Sequence, residues 1–404
     1  MVEVIFWSAL GIIVYTYGLF PLITLLRGFL WRTPYRSAEI TPSVSLIIAA
    51  YNEAQSIGAK LDNVLALAYP RDKLEVIVAS DGSTDGTDEI VRGYAAHGIR
   101  LLSLPRRGKA PALNAAVAAA TGEILVFSDA NSMYAPDAIR ALVHPFADPT
   151  VGGVAGNQVY LKEKDSNRSG SGEQSYWNFD RKLKQFQSEA GNAISATGAI
   201  YAIRRRLFAP VPGGVTDDFT ISTGVITQGY RLVFAPDAIA YEPVAANGHR
   251  EFGRKVRIIT RGLRAVILRR ELLNPLRYGF YALQIFSHKV LRRLVVIPLL
   301  LLLLVSPFLW TQGWFYQAVL LAQLGVYGCG LLGLVLSDTR LGKIKLFSIP
   351  FFFCMVNWAS FLAAWNIVRG HRIERWEPQR RDDHKPVVGT VSSFPVSSSE
   401  QGRS

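Results

Sequence analysis

Three short apolar runs end in side chains that could do chemistry. Val44-Ser-Leu-Ile-Ile-Ala-Ala50 leads into Tyr51-Asn52-Glu53, and Leu74-Glu-Val-Ile-Val-Ala-Ser80 leads into Asp81-Gly82-Ser83-Thr84-Asp85. Glu123-Ile-Leu-Val-Phe-Ser128 leads into Asp129-Ala130-Asn131. Carboxylate and amide oxygens in such clusters accept hydrogen bonds from N–H and hydroxyl groups. A single acidic strand end is equally well an N-cap, and Asp81 or Ser83 suits that part. Three in succession are harder to explain so.

The elements that must position these groups read as βαβ units. Between the early runs lie helical patterns, Ile57, Leu61, Val64 and Leu65 in one and Ala112–Ala119 in another. Strands alternating with helices predict a parallel sheet with helices on both faces, and strands buried on both sides should be continuous apolar runs, as these are. Weaker strand signals follow at Arg100–Ser103, Val151–Ala155, Ala199–Ile203 and Leu232–Ala235. In open α/β sheets ligands bind beyond the carboxyl ends of the strands, so the three clusters should converge on one site.

Phosphate-loop alternatives fail. The turn after the first run has no glycine, which disfavours a dinucleotide fold. Gly108-Lys109 resembles the end of a P-loop, but Ala110 stands where Ser or Thr is needed and Ser103 at the first glycine position.

The chain has 404 residues, of which half are hydrophobic and only 19% charged. Its mean hydropathy is +0.19. A disordered chain is excluded, and a wholly water-soluble one is disfavoured. Net charge is 44 − 31 = +13. The basic residues cluster beside apolar segments and no nucleic-acid module is present, so nucleic acid is not expected as a partner. Two cysteines, Cys329 and Cys354, both in apolar runs, make neither a disulfide framework nor a zinc site.

The apolar sequence lies at the two ends. Val4–Leu26 is long enough to cross a bilayer, and residues 1–30 read as a retained anchor. Arg27, Arg32 and Arg36 follow it, which predicts a cytoplasmic domain. About three further spans are expected within 291–368, at Leu294–Trp310, Trp314–Leu336 and Leu346–Val368. Four full spans would put the C-terminus outside. The six Lys/Arg of Arg369–Lys385, and Arg340, Lys343 and Lys345, prefer the inside. A re-entrant or interfacial C-terminal segment would resolve the conflict. Arg250–Arg270 carries eight Lys/Arg with Val256, Ile258, Ile259, Leu263, Val266 and Ile267 between them. This predicts a basic amphipathic helix on an anionic leaflet, within an interfacial region over 246–290. Residues 386–404 are Ser-rich and read as a disordered tail.

Six motifs now carry a resemblance. They are Tyr51-Asn-Glu53, Asp81-Gly-Ser-Thr-Asp85, Arg107-Gly-Lys-Ala-Pro-Ala-Leu-Asn114, Phe127-Ser-Asp-Ala-Asn131, Thr197-Gly-Ala199 and Thr216-Asp-Asp-Phe219. In this order they resemble the family 2 glycosyltransferases, in particular the membrane-anchored, cellulose-synthase-like branch with a GT-A fold. The resemblance runs from about Ser43 to Arg261, and the domain is expected over 42–245.

The resemblance implies a nucleotide-diphosphate sugar as donor, most commonly a UDP-sugar. Asn52, Glu53, Asp81, Lys109 and Asp129 would bind it, with Glu53 and Asp81 on the nucleoside and Lys109 near the diphosphate. Asp129 would bridge donor and Mg²⁺ or Mn²⁺, with Asn131 as second ligand. Asp218 would be the base that deprotonates the acceptor hydroxyl during an inverting displacement, and its neighbour Asp217 would help raise its pKa.

Two departures stand out. The metal motif of many relatives is Asp-x-Asp, whereas here Asn131 brings an oxygen without charge; His249 is an alternative ligand. The Gln-x-x-Arg-Trp of processive polymerases is replaced by Lys255-Val-Arg-Ile-Ile-Thr-Arg-Gly262. Arg257 and Arg261 would meet the donor diphosphate or the lipid surface, and the missing Trp favours transfer of one or a few sugars. The acceptor would be lipid-linked or a membrane-proximal glycan, for cell-envelope or extracellular polysaccharide or glycolipid synthesis at the plasma membrane. Competing readings are a processive polysaccharide synthase, which would need a partner membrane subunit to supply helices, and a non-catalytic nucleotide-sugar-binding protein or transporter.

Overall fold

The computed structural model describes residues 1–161, 181–243, 248–337 and 344–371, together with 339, 341 and 342. One eight-stranded sheet forms the centre. Its strands are β1 (Val44–Ala50), β2 (Leu74–Asp81), β3 (Ile99–Leu104), β4 (Ile124–Asp129), β5 (Met133–Tyr134), β6 (Val151–Leu161), β7 (Tyr201–Arg204) and β8 (Arg231–Pro243). They lie in the order β3-β2-β1-β4-β7-β6-β8-β5.

The half β3-β2-β1-β4 is wholly parallel. Side chains alternate across β1, so Val44, Leu46, Ile48 and Ala50 enter one core while Ile47 and Ala49 enter the other. The first core is covered by the helix Ile57–Leu65, the second by the helices Lys109–Ala119 and Asp217–Thr227. Leu46, Ile47 and Ile48 are wholly buried, each worth about 1.5–3 kcal/mol. The other half is mixed, because β7 runs antiparallel to both β4 and β6 while β6 and β8 pair in parallel. An apolar run signals a strand but carries no direction, so the sequence pattern foresaw more parallel pairing than forms.

Three helices, Val2–Leu30, Trp314–Val335 and Lys345–Val368, are long and apolar enough to cross a membrane. The expected span at Leu294–Trp310 falls in a bent pair, Phe280–Leu294 and Val296–Gln312, meeting at 49°, which makes a fourth candidate span if the pair crosses as one. Pro298 accounts for the break, since its ring clashes with the carbonyl four residues back, that of Leu294. Phe6 is buried against Phe315 and Tyr316, which ties the first helix to the C-terminal ones.

The basic helix forms over Gly248–Leu268, and protein covers part of its apolar stripe while Ile258 and Ile267 stay exposed. Ile259 and Leu263, with Phe252 and Val256 beside them, pack on Ala359, Ala363 and Ile367 of the last helix. Small residues let the two backbones approach. Ala265 and Val266 enter the second core of the sheet domain. Periodicity told that one face needed cover; only the fold decided what covers it. The tail 386–404, Arg340, Lys343 and the side chain of His249 lie outside the described residues.

Candidate active site

Parallel pairing brings the three clusters to one edge. Ala50 stands opposite Ser80, and Ala49 opposite Asp129, so the ends of β2 and β4 flank the end of β1. Beyond that edge the first two clusters stitch each other together. Asn52 sits at φ +53°, its Oδ1 accepts from Thr84 N–H at 2.8 Å, and its own N–H donates to Ser83 Oγ at 3.1 Å. Glu53 N–H donates to Thr87 Oγ1 at 2.9 Å. Asn52 therefore acts as a loop staple in this structure.

Asp81, only 1% exposed, is likewise occupied by protein donors. Its carboxylate accepts from the N–H of Arg107 at 2.7 Å and of Gly108 at 2.9 Å, and pairs with the guanidinium of Arg106. That guanidinium lies 3.4 Å from the centroid of the Tyr51 ring. The guanidinium thus stacks on the aromatic face while it pairs with the buried carboxylate. Glu53 points toward the next cluster. Burial pushes its carboxyl up to about 7, with Asp129 and Asp85 adding to the rise against a hydrogen bond from Ser56.

Lys109, at the start of its helix, joins the third cluster to the acid pair. Its ammonium lies 2.7 Å from Asp129 Oδ1 and 3.0 Å from Asp217 Oδ2. Burial alone would lower its pKa, but the two carboxylates outweigh it and keep the charge. Asp217 and Asp218 open the helix Asp217–Thr227, where the positive end of the helix dipole favours acids. Their environments push them apart. Burial raises both, but Lys109 and then Arg261 hold Asp217 below the usual carboxylate range. Asp218 is pushed up to about 6 by burial and by the Asp217 charge. Gly198 closes the floor: a Cβ there would come within 2.7 Å of Asp129 Oδ2.

Among the described residues no three His, Cys, Asp or Glu are arranged to hold a metal. Asp129, with its side chain 32% exposed, and half-buried Asn131 on the following turn offer one carboxylate and one amide oxygen. That set fits a hard cation completed by substrate phosphate oxygens, not a cage built by protein alone.

Arg261 comes to the acids, not to open space. It is 9% exposed, and its Nε and Nη2 donate to the carbonyl of Val215 at 3.1 and 2.7 Å. Arg257 lies one turn earlier on the same helix and is half-buried.

Sequence reasoning missed four groups. Lys289, on the π-helical turn Ile285–Leu291, packs over the Phe219 ring at 5.8 Å and lowers Asp218 electrostatically. Nothing local announces it. Lys60 is wholly buried, donates to the carbonyl of Ser132, and sits 3.7 Å from the Tyr134 centroid. Its signal was available: position 60 falls inside the apolar stripe 57, 61, 64. Burial pushes it down to about 7, against Asp129 and Glu242. Glu242 takes hydrogen bonds from Ser132 and Gln158 behind the Asp129 turn. Arg106 immediately precedes the Arg107–Asn114 motif and lies outside it.

Residues 45–211 match the family model described as glycosyl transferase family 2. The chain carries a family 2 glycosyltransferase domain. The transferase domain has the GT-A fold, with a mixed sheet and apolar helices on its flanks. It is similar to the poly-beta-1,6-N-acetyl-D-glucosamine synthase of Staphylococcus aureus, 27% identical over 223 residues, covering 54% of this chain and 53% of that protein. The synthase of the same name from Staphylococcus epidermidis is 27% identical over 222 residues, covering 53% and 52%. The chain spans about half the length of these curated relatives. The solved mannosyltransferase PcManGT from Pyrobaculum calidifontis, in complex with GDP-Man and Mn²⁺, superposes with a TM-score of 0.67 at 26% identity. That likeness covers 91% of this chain and 99% of the other, so it reaches past the transferase domain into the flanking helices.

Proposed function

We propose that this protein is a membrane-bound inverting glycosyltransferase that moves a sugar from a nucleoside-diphosphate donor to a lipid-linked or membrane-proximal glycan acceptor. The observation that carries this reading is the pair Asp217–Asp218: Asp217 is held low beside Lys109, which also meets Asp129, and Asp218 is raised to about 6. A general base works best with a pKa near the operating pH. Asp218 takes the proton of the acceptor hydroxyl as that oxygen attacks the anomeric carbon. The bond from that carbon to the diphosphate breaks on the opposite side, which inverts the centre. Asp217, paired with Lys109, stays ionised and keeps its neighbour basic.

The nucleoside enters at Tyr51, Glu53, Asp81 and Arg106, and the diphosphate lies toward Lys109 and Asp129. Asp129 and Asn131 would hold Mg²⁺ or Mn²⁺, which when bound neutralises charge on the leaving diphosphate. The Mn²⁺ in the mannosyltransferase complex supports a divalent ion. The arginines after the first apolar helix support a cytoplasmic domain at the plasma membrane. The helices packed onto the domain favour an acceptor presented at the membrane surface, and the absence of Gln-x-x-Arg-Trp favours one or a few transfers. The synthase relatives favour a second reading, chain polymerisation.

The test is nucleotide release from detergent-purified protein. UDP-, GDP- and dTDP-sugars are offered with Mg²⁺ or Mn²⁺ and a membrane lipid extract. Metal-dependent release from one donor, raised by the extract and lost in Asp218→Asn, is expected. A ladder of labelled products would establish polymerisation instead of single transfer. Donor binding without release would overturn the enzymatic reading.

A further inference from the structure

The base side of the site is not held by the sheet alone. Asp217 and Asp218 begin a helix whose preceding residues, Val215 and Thr216, are loop, and Thr216 makes no side-chain cap bond. What fixes that loop is a donor from the membrane-packed part of the chain. Arg261 sits near the middle of the helix Gly248–Leu268, and two N–H groups of its guanidinium converge on the carbonyl of Val215. A buried fork of charge-assisted hydrogen bonds to one acceptor fixes both distance and direction. The same guanidinium attracts the Asp217 carboxylate.

The helix bearing Arg261 is itself gripped from outside the domain. Ile259 and Leu263, on either side of Arg261 in sequence, are buried against Ala359 and Ala363 of the last apolar helix. Gly262 lets the Arg293 guanidinium close in, for a Cβ there would meet Nη1 at 2.6 Å. A shift of this helix against the last one therefore carries the Val215 carbonyl, and the turn bearing Asp218, with it.

We infer that Arg261 is a positioning residue: it links the packing of the last apolar helix to the placement of the Asp217–Asp218 turn. It acts through the Val215 carbonyl rather than on the donor diphosphate. The catalytic consequence rests on Asp218 being the base, as proposed above; the mechanical link does not.

The experiment uses the full chain in lipid nanodiscs, with Arg261→Lys, Arg261→Met and Ala363→Leu. The Lys variant keeps the charge and loses the fork, while Ala363→Leu overpacks the joint and leaves Arg261 in place. Three quantities are read: kcat for nucleotide release, donor Kd by titration, and hydrogen–deuterium exchange of the peptide spanning 211–220. The expected result is a kcat lowered at least tenfold in Arg261→Met and at least threefold in the other two. Donor Kd stays within twofold, and exchange over 211–220 quickens in all three. The Kd also reports folding, so a misfolded variant is recognised. A donor Kd raised tenfold with kcat unchanged would make Arg261 a diphosphate ligand and overturn the inference. Unchanged exchange in Arg261→Met would overturn the link itself, and unchanged exchange in Ala363→Leu its continuation to the last helix. Should Asp218→Asn retain full activity while exchange responds as expected, the base assignment falls and the link stands.

Discussion

The donor side and the base side of the site are built differently. On the donor side, loops that follow adjacent parallel strands hold each other: Asn52 takes Thr84, and Asp81 takes Arg106, Arg107 and Gly108. These partners lie within about one βα unit of each other and need only the sheet register to meet. On the base side, Asp217 and Asp218 meet Lys109 from a distant helix and Lys289 and Arg261 from the helices that follow the sheet domain. On the proposed assignment, the difference teaches that the donor-side loops are fixed by the sheet, whereas the Asp217–Asp218 turn depends on the packing of the flanking helices. Under the proposed function, an acceptor presented at a membrane surface would be met by residues that the flanking apolar helices place.

The comparison breaks most sharply at Asp218. Asp218→Asn should lower kcat about 10²–10⁴-fold and leave donor Kd nearly unchanged. In the intact protein kcat should climb as pH rises through about 6, because the raised carboxyl must lose its proton to act, and then level off. A limb near pH 4 would remove the case for a perturbed base. Asp129→Ala should act on the other side. Metal-dependent donor binding should be lost, read as the disappearance of the Mn²⁺-induced change in nucleotide Kd. Equal Kd with and without Mn²⁺ in the parent would sink the ligand assignment.

Asp81→Asn tests whether the donor side is preformed. The buried carboxylate serves two backbone N–H groups and a guanidinium, and losing it should cost about 1–3 kcal/mol in stability, seen as a lower Tm. Donor affinity should fall too, while the kcat of enzyme saturated with donor holds. Lys60→Met gives the smallest effect. Folding lowers Lys60 to about 7 from the ordinary lysine value of 10.5, so the unfolded chain binds more protons between these values. Stability should then rise with pH across that window, and Met should flatten the slope without loss of Tm near pH 7. A slope unchanged by the substitution would show that Lys60 keeps its charge when buried.

Much of the donor side was legible in the sequence. The runs at 44–50, 74–80 and 123–128 are strands, and their acidic ends do converge, because parallel pairing leaves carboxyl ends together. The pattern could not tell that Asn52 would spend its amide on Thr84, since hydrogen-bond allegiance depends on loop geometry. Nor could it tell that Arg261 would turn to the Val215 carbonyl, or that the basic helix would bury Ile259 and Leu263 on Ala359 and Ala363. Residue types and spacing determined the strands, the apolar helices, the acid clusters and the presence of Asp218, because these follow from local periodicity and short-range chemistry. The tertiary structure decided which cation each acid faces, and with it which acid is basic. Burial and charge proximity are properties of residues far apart in the chain, and only packing brings Lys109, Arg261 and Lys289 to the same two carboxylates.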